Sequence, residues 1–248
     1  DGVVSTLLAR SFRARAQAPG RAPSLETLLH EALRLRVATT DTHLDVGYEC
    51  AGMHDTANPA LLLGLLACDT YGIDLLTCPL LHVDRALGWM MLHAGLAPRW
   101  TTQLAQKHAG EIEHKLRSGG YRKLLRNMYG DRPAWSPHLT GPDRDRAIIN
   151  IFTRMRYCAP KGRIAFEEKG APGTQQPGLY PWYEVPGRAE RDLKIVCGHW
   201  STLGLFIGHG VHAIDTGAVW GGKLTALQLD TDELRVVQVP GRDAPAPK

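Results

Sequence analysis

The stretch "GWMMLHAGLAPRW", residues 88–100, decides how the chain is read. Four apolar residues, Trp89 to Leu92, run up to His93, and small residues and Pro98 follow. A short apolar run bounded by glycine and loop formers reads as a buried strand. His93 then stands where that strand opens into a tight loop, and open α/β sheets place their chemistry at the carboxyl ends of strands. The competing reading is structural, with His93 capping the strand by one hydrogen bond. Working outward, "IVCGHWSTLG", residues 195–204, repeats the pattern: a β run ends at Gly198 and His199 follows. Neutral imidazole is the commonest side-chain metal ligand, and strand ends in one sheet lie close together, so the two histidines are candidates to share an ion. A complete site needs three or more ligands. His209 and His212 lie nearby in a glycine-rich stretch and are expected at the surface.

The texture around these stretches predicts an α/β fold, rich in helices over the first two thirds. "SLETLLHEALRLR", residues 24–36, carries a helical stripe of Leu25, Leu28, Leu29, Leu33 and Leu35 behind Ser24 as N-cap. Residues 37–44 read as a strand end entering a loop, and residues 59–68 as a helix with Pro59 in its first turn. Helices are expected over 101–117 and 120–129, separated by Gly119-Gly120, and over 143–152. Residues 159–189, dense in Pro and Gly, read as surface loop. From Leu193 on, "LKIVCGH", "VHAIDTG", "KLTALQL" and "LRVVQV" read as strands. The organisation expected is a basic extension over 1–24, one domain over 25–240 and a flexible tail over 241–248.

The bulk composition bounds the function. With 248 residues, 44% hydrophobic and 22% charged, the chain can bury a sizeable core. No apolar run approaches the roughly 18–20 residues that a membrane helix needs. A net charge of +4 suits a polyanionic ligand such as a nucleotide or RNA phosphate, yet is too small to argue for nucleic acid alone. Five scattered cysteines without a C-x-x-C pair point to free thiols in a reducing compartment. Cys197 is read as a small buried hydrophobe, because no third residue is in place to orient a Cys197–His199 pair. Residues 3–24 carry Arg10, Arg13, Arg15 and Arg21 and no acid, as organellar transit segments do, so the mitochondrial matrix and the cytoplasm both stay open.

From Pro79 to Val239 the chain resembles the symmetrical diadenosine tetraphosphatases, the ApaH branch of the calcineurin-like metallophosphoesterases. The likeness is carried by "CPLLHVDRALGWMMLHAGLAPRW", "MYGDRPAWSPHLTG", "INIFTRMRYC", "PWYEVPG", "CGHWSTLGL" and "AIDTGAVWGGKLTAL", in the family's order. The resemblance implies a two-sheet β-sandwich flanked by helices. It also implies a pair of manganese or similar divalent ions that activate water to split diadenosine tetraphosphate into two ADP. It makes His93 and His199 metal ligands and Arg154 and Arg156 candidates to grip phosphate.

The family's three earlier motifs, GD-x-HG, GD-x-x-x-RGP and GNHD, are not met in full. The first has no counterpart. "GRAPSLETL" resembles the second, with Arg21 in the phosphate-binding arginine's place but Gln17 where the bridging aspartate belongs. "RVATTDTHL" resembles the third, with Thr39 and Thr40 in place of the asparagine and the catalytic histidine. A glutamine cannot neutralise the repulsion between two cations, and threonine is a poor ligand beside imidazole and carboxylate. The expectation is therefore a domain that keeps the fold without the chemistry and needs no cofactor, serving as a binding or structural subunit with protein partners in a larger assembly. The alternative is an active hydrolase, its metal site rebuilt from Asp41, His43, Asp45 or His54.

Overall fold

The structure is a computed structural model that describes residues 80–189, 191–229 and 233–241. The readings made on residues 1–79, including the helices at 24–36 and 59–68, Arg21 and the four recruitable ligands, lie outside the described residues. So does the tail beyond Gly241.

In chain order the elements are β1 (Leu81–Asp84), β2 (Trp89–Leu92), α1 (Thr102–Arg117), α2 (Tyr121–Asn127), α3 (Gly141–Arg154), β3 (Tyr157–Cys158), β4 (Tyr180–Pro181) and β5 (Lys194–Cys197). They continue with β6 (Phe206–Gly208), β7 (Val211–Ala213), β8 (Asp215–Thr216), β9 (Lys223–Gln228) and β10 (Arg235–Pro240). The described residues form a mixed α/β protein in two compact units, one running to Asp215 and the other from Thr216 on. No helix among them is long and apolar enough to cross a membrane.

The first unit holds a five-stranded sheet in the order β1-β2-β5-β7-β6. β2, β5 and β7 are parallel neighbours, with antiparallel β1 and β6 on the two edges. Parallel strands require a long crossover, and α1, α2 and α3 lie within the one that joins β2 to β5. All four residues of β2 are buried, as a central strand covered on both faces must be. Met90 and Leu92 join Ile195, Cys197, Val211 and Ala213 in a core completed by Ile112, Ile148, Ile151 and Phe152 of the helices. Trp89 and Met91 alternate to the other face, as the two-residue period of a strand requires.

Local chemistry sets the helix limits. Thr101 caps α1 by accepting the Leu104 N–H, and His114, Lys115 and Arg117 sit in the last turn, where the helix dipole favours cations. Ser118 closes it by donating from N–H and hydroxyl to the Lys115 carbonyl. Pro142 sits in the first turn of α3. Arg144 ties α3 to α1 through Glu111, at 2.8 and 3.0 Å, while its guanidinium lies 5.0 Å from the Trp135 ring centroid.

Two expectations change here. His212 lies in β7, is buried, and packs edge-on to Trp89 at 4.7 Å between ring centroids. Only His209, on the β6–β7 turn, is exposed as expected. The Pro/Gly-rich 159–189 segment has little regular structure, but it is not all surface: Trp182, Tyr183 and Val185 are buried in the main core. Proline and glycine limit hydrogen-bonded regularity, whereas aromatic area decides burial. The short edge strands β1 and β6 were not anticipated. Helical structure among the described residues lies within 102–154 apart from two single 3-10 turns, and the helices expected before residue 80 lie outside them.

β10, β9 and β8 follow one another in a three-stranded sheet, in which β10 and β9 pair antiparallel around Ala226 and Val239. Gly217 and Gly221, at φ of 72° and 84°, flank a 3-10 turn over Ala218–Trp220, a conformation that glycine adopts without steric cost.

Candidate functional site

The parallel pairing of β2 with β5 brings their carboxyl ends side by side, and the Gly198 N–H donates to the His93 carbonyl at 2.8 Å just past the strands. The two imidazoles meet there, ring centroids 5.0 Å apart and planes tilted by 51°. His93 Nδ1 and His199 Nε2 are buried and make no hydrogen bond. A strand cap would need such a bond. Two orphaned imidazole nitrogens on adjacent rings are what metal ligation leaves behind in a protein without its ion, since a buried unpartnered polar atom is otherwise costly.

The loops holding the rings are over-determined. After His93, the Ala94 N–H donates to the Phe152 carbonyl at 2.8 Å, and Leu96 and Ala97 are buried. A Cβ on Gly95 would stand 2.9 Å from atoms of Met155 and Trp182, so the chain fits this course only without a side chain there. His199 sits at φ 68°, and the Trp200 N–H donates back to the Gly198 carbonyl at 2.8 Å. That is a three-residue turn with positive φ at its centre, a rare and strained form for a non-glycine residue. The Trp200 indole N–H donates to the Gly170 carbonyl at 2.9 Å and holds the turn in place.

Burial sets the protonation state. It pushes His93 down to about 4, helped by the Arg156 charge, and His199 down to about 2, helped by His93 and Arg156. Both rings are neutral at pH 7, with lone pairs available to a cation. The unfolded chain protonates these rings near the ordinary value of about 6.5, while the folded chain resists. Their contribution to stability is present above pH 6.5 and is lost on acidification toward pH 4. Urea midpoints measured from pH 7 down to pH 4 should fall, and a His93→Gln/His199→Gln variant should fall less.

Arg156 lies beside the pair, 3.4 Å from the His199 carbonyl, its pKa lowered by desolvation against the opposing pull of buried Asp215. Asp215 escaped the sequence reading; its place in "AIDTG" just after a strand was the available signal. Arg154 points elsewhere: it pairs with Asp131 at 2.8 Å, with its guanidinium 4.3 Å from the Phe166 ring centroid. Cys197 is buried and its thiol is pushed up to about 12, so it stays protonated and inert. Among the described residues no group of three His, Cys, Asp or Glu could hold a metal. The two imidazoles fit an ion as partial ligands, and further ligands have to come from outside the described residues.

Comparison with known proteins gives consistent relatives. No family profile matches the chain. A protein of Xanthomonas oryzae pv. oryzae (strain MAFF 311018) is 65% identical over 232 residues, covering 90% of this chain and 73% of that protein. One from Xanthomonas campestris pv. campestris (strain ATCC 33913) is 79% identical over 168 residues, covering 68% of this chain and 52% of its own. One from Xylella fastidiosa (strain M23) is 69% identical over 169 residues, covering 68% and 57%. All three are named bis(5'-nucleosyl)-tetraphosphatase, symmetrical.

Proposed function

The chain belongs to the symmetrical bis(5'-nucleosyl)-tetraphosphatase family, and on that premise we propose that it is a metal-dependent hydrolase of symmetrical dinucleoside tetraphosphates, splitting diadenosine tetraphosphate into two ADP. The observation that carries the reading is the buried, neutral, unpartnered pair His93 and His199 at neighbouring strand ends. These two imidazoles would hold a manganese or similar divalent ion together with ligands from before Leu80. When bound, such an ion polarises phosphoryl oxygens and lowers the pKa of its water. Arg156, beside the His199 loop, would hold a phosphate oxygen next to the pair, a role that its guanidinium fork suits. The β2 and β5 loops keep both rings desolvated and neutral.

A second reading, the domain that keeps its fold without turnover, draws on Gln17, Thr39 and Thr40 at the places of family ligands. The names of the relatives speak for hydrolysis instead. The deciding measurement is ADP release from diadenosine tetraphosphate with manganese, repeated after chelation. Turnover that stops with the chelator and returns with manganese is expected. Folded protein that releases no ADP above background selects the second reading.

A further inference from the structure

We propose that the cavity beside α3 is a nucleoside site that receives one adenosine of a dinucleoside polyphosphate; the ligand's identity rests on the hydrolase reading above. The cavity measures about 340 Å³ and runs between the Asp131–Trp135 segment, Asn150 and Ile151 of α3, and the Arg163–Glu168 segment. That volume lies in the range of small-molecule sites, about 300–1,000 Å³.

Its lining divides into a fixed wall and unspent groups. Phe166 has the Arg154 guanidinium 4.3 Å from its ring centroid, and Arg154 is held by Asp131 at 2.8 Å and by Asn150 Oδ1 at 3.2 Å. Asn150 is itself fixed by donating to the Gly130 carbonyl at 2.8 Å. Trp135 is held in place by Arg144, Trp100 and His108. Against this rigid wall stand the side chains of Arg163, Glu167 and Gln176, which have no hydrogen-bond or ion-pair partner among the described residues. Aromatic surface, a carboxamide with both donor and acceptor, a free carboxylate and a free guanidinium match the parts of a nucleotide. The rings take the base face, Gln176 the base edge, Glu167 the ribose hydroxyls and Arg163 the first phosphate. A simple anion would be repelled by Glu167, and an apolar ligand would leave three polar groups unpaired.

Position supports the same assignment. Ile151 lines the cavity and Arg156 abuts the His199 loop. α3 ends at Arg154, whose guanidinium covers the cavity ring Phe166, and Arg156 follows two residues on, so their Cα atoms lie at most about 7 Å apart, a gap that a polyphosphate chain bridges.

The test is titration of adenosine into the metal-free full chain, read by calorimetry and by the NMR shift of the Trp135 indole. Saturable binding is expected. Glu167→Ala and Gln176→Ala, both at exposed positions, should each weaken it about tenfold, the scale of one lost hydrogen bond to a charged or well-placed group. No saturable binding, or binding that neither variant changes, overturns the site. A chain that releases ADP from diadenosine tetraphosphate but ignores adenosine refutes the cavity and leaves the hydrolase reading intact. A chain that binds adenosine as expected and releases no ADP refutes the hydrolase reading and leaves the site standing.

Discussion

Replacing His199 by glycine should remove at least about 100-fold of the metal-dependent turnover while leaving the melting temperature of the metal-free protein unchanged or higher. The loss follows from ligation, because even outer-shell partners of metal ligands are worth about 10–100-fold in metal affinity or activity. The stability outcome has two sources. His199 Nε2 is buried without a hydrogen-bond partner, a state costing about 1–3 kcal/mol. Its backbone at φ 68° carries strain of about 1–3 kcal/mol for a non-glycine residue, which glycine does not feel. Those two gains offset the packing that the ring gives up. His93 is the control: it removes an imidazole from the same spot with no positive φ to relieve, so His93→Ala should lose the activity and also some stability. Thermal melts in chelator and ADP release in manganese check both. A His199→Gly protein that keeps full turnover would show that the ring holds no ion, and one that melts far lower would show that the ring is there to pack.

This split between function and stability also explains what was legible in the sequence. The β2 strand and its histidine could be read because a four-residue apolar run has one period and a glycine boundary. The facing of His93 on His199 followed from two strand ends in one sheet, and the parallel β2–β5 register supplies the distance. The helices at 102–117, 121–127 and 141–154 answer the expected 101–117, 120–129 and 143–152, the first two separated by Gly119-Gly120 as read. Burial that depends on distant partners was not. His212 looked like a turn residue because glycines precede it, but it belongs to β7 and is covered by Trp89. Arg154 and Arg156 are indistinguishable in "FTRMR". The end of α3 at Arg154 sends them apart, one to Asp131 and Phe166, the other to the histidine loop. The cavity beside α3 was equally hidden, since its walls come from three segments separated in sequence.

The sharpest of these surprises yields the second large effect. Trp182→Ala should destabilise the protein by about 3–5 kcal/mol, the cost of removing a large buried aromatic side chain, out of a total typically near 5–15 kcal/mol. Trp182 is 1% exposed, although it lies in the Pro/Gly-rich segment read as surface. Its backbone N–H, which alanine would keep, donates to the Arg156 carbonyl at 2.9 Å, and its indole fills the space where a side chain on Gly95 would go. This last contact makes the claim testable as a coupling. Gly95→Ala alone forces a Cβ to within 2.9 Å of the indole and should cost about 1–3 kcal/mol by overpacking. In the Trp182→Ala background the same methyl enters vacated space, and only the Met155 side chain, a flexible thioether, has to yield. The Gly95→Ala penalty should then shrink to near zero or change sign, giving a coupling of about 0.5–3 kcal/mol in the double-mutant cycle. Urea denaturation of the four proteins measures it. Additive effects would mean that the indole does not support the loop carrying His93, and the packing account of that loop would fail.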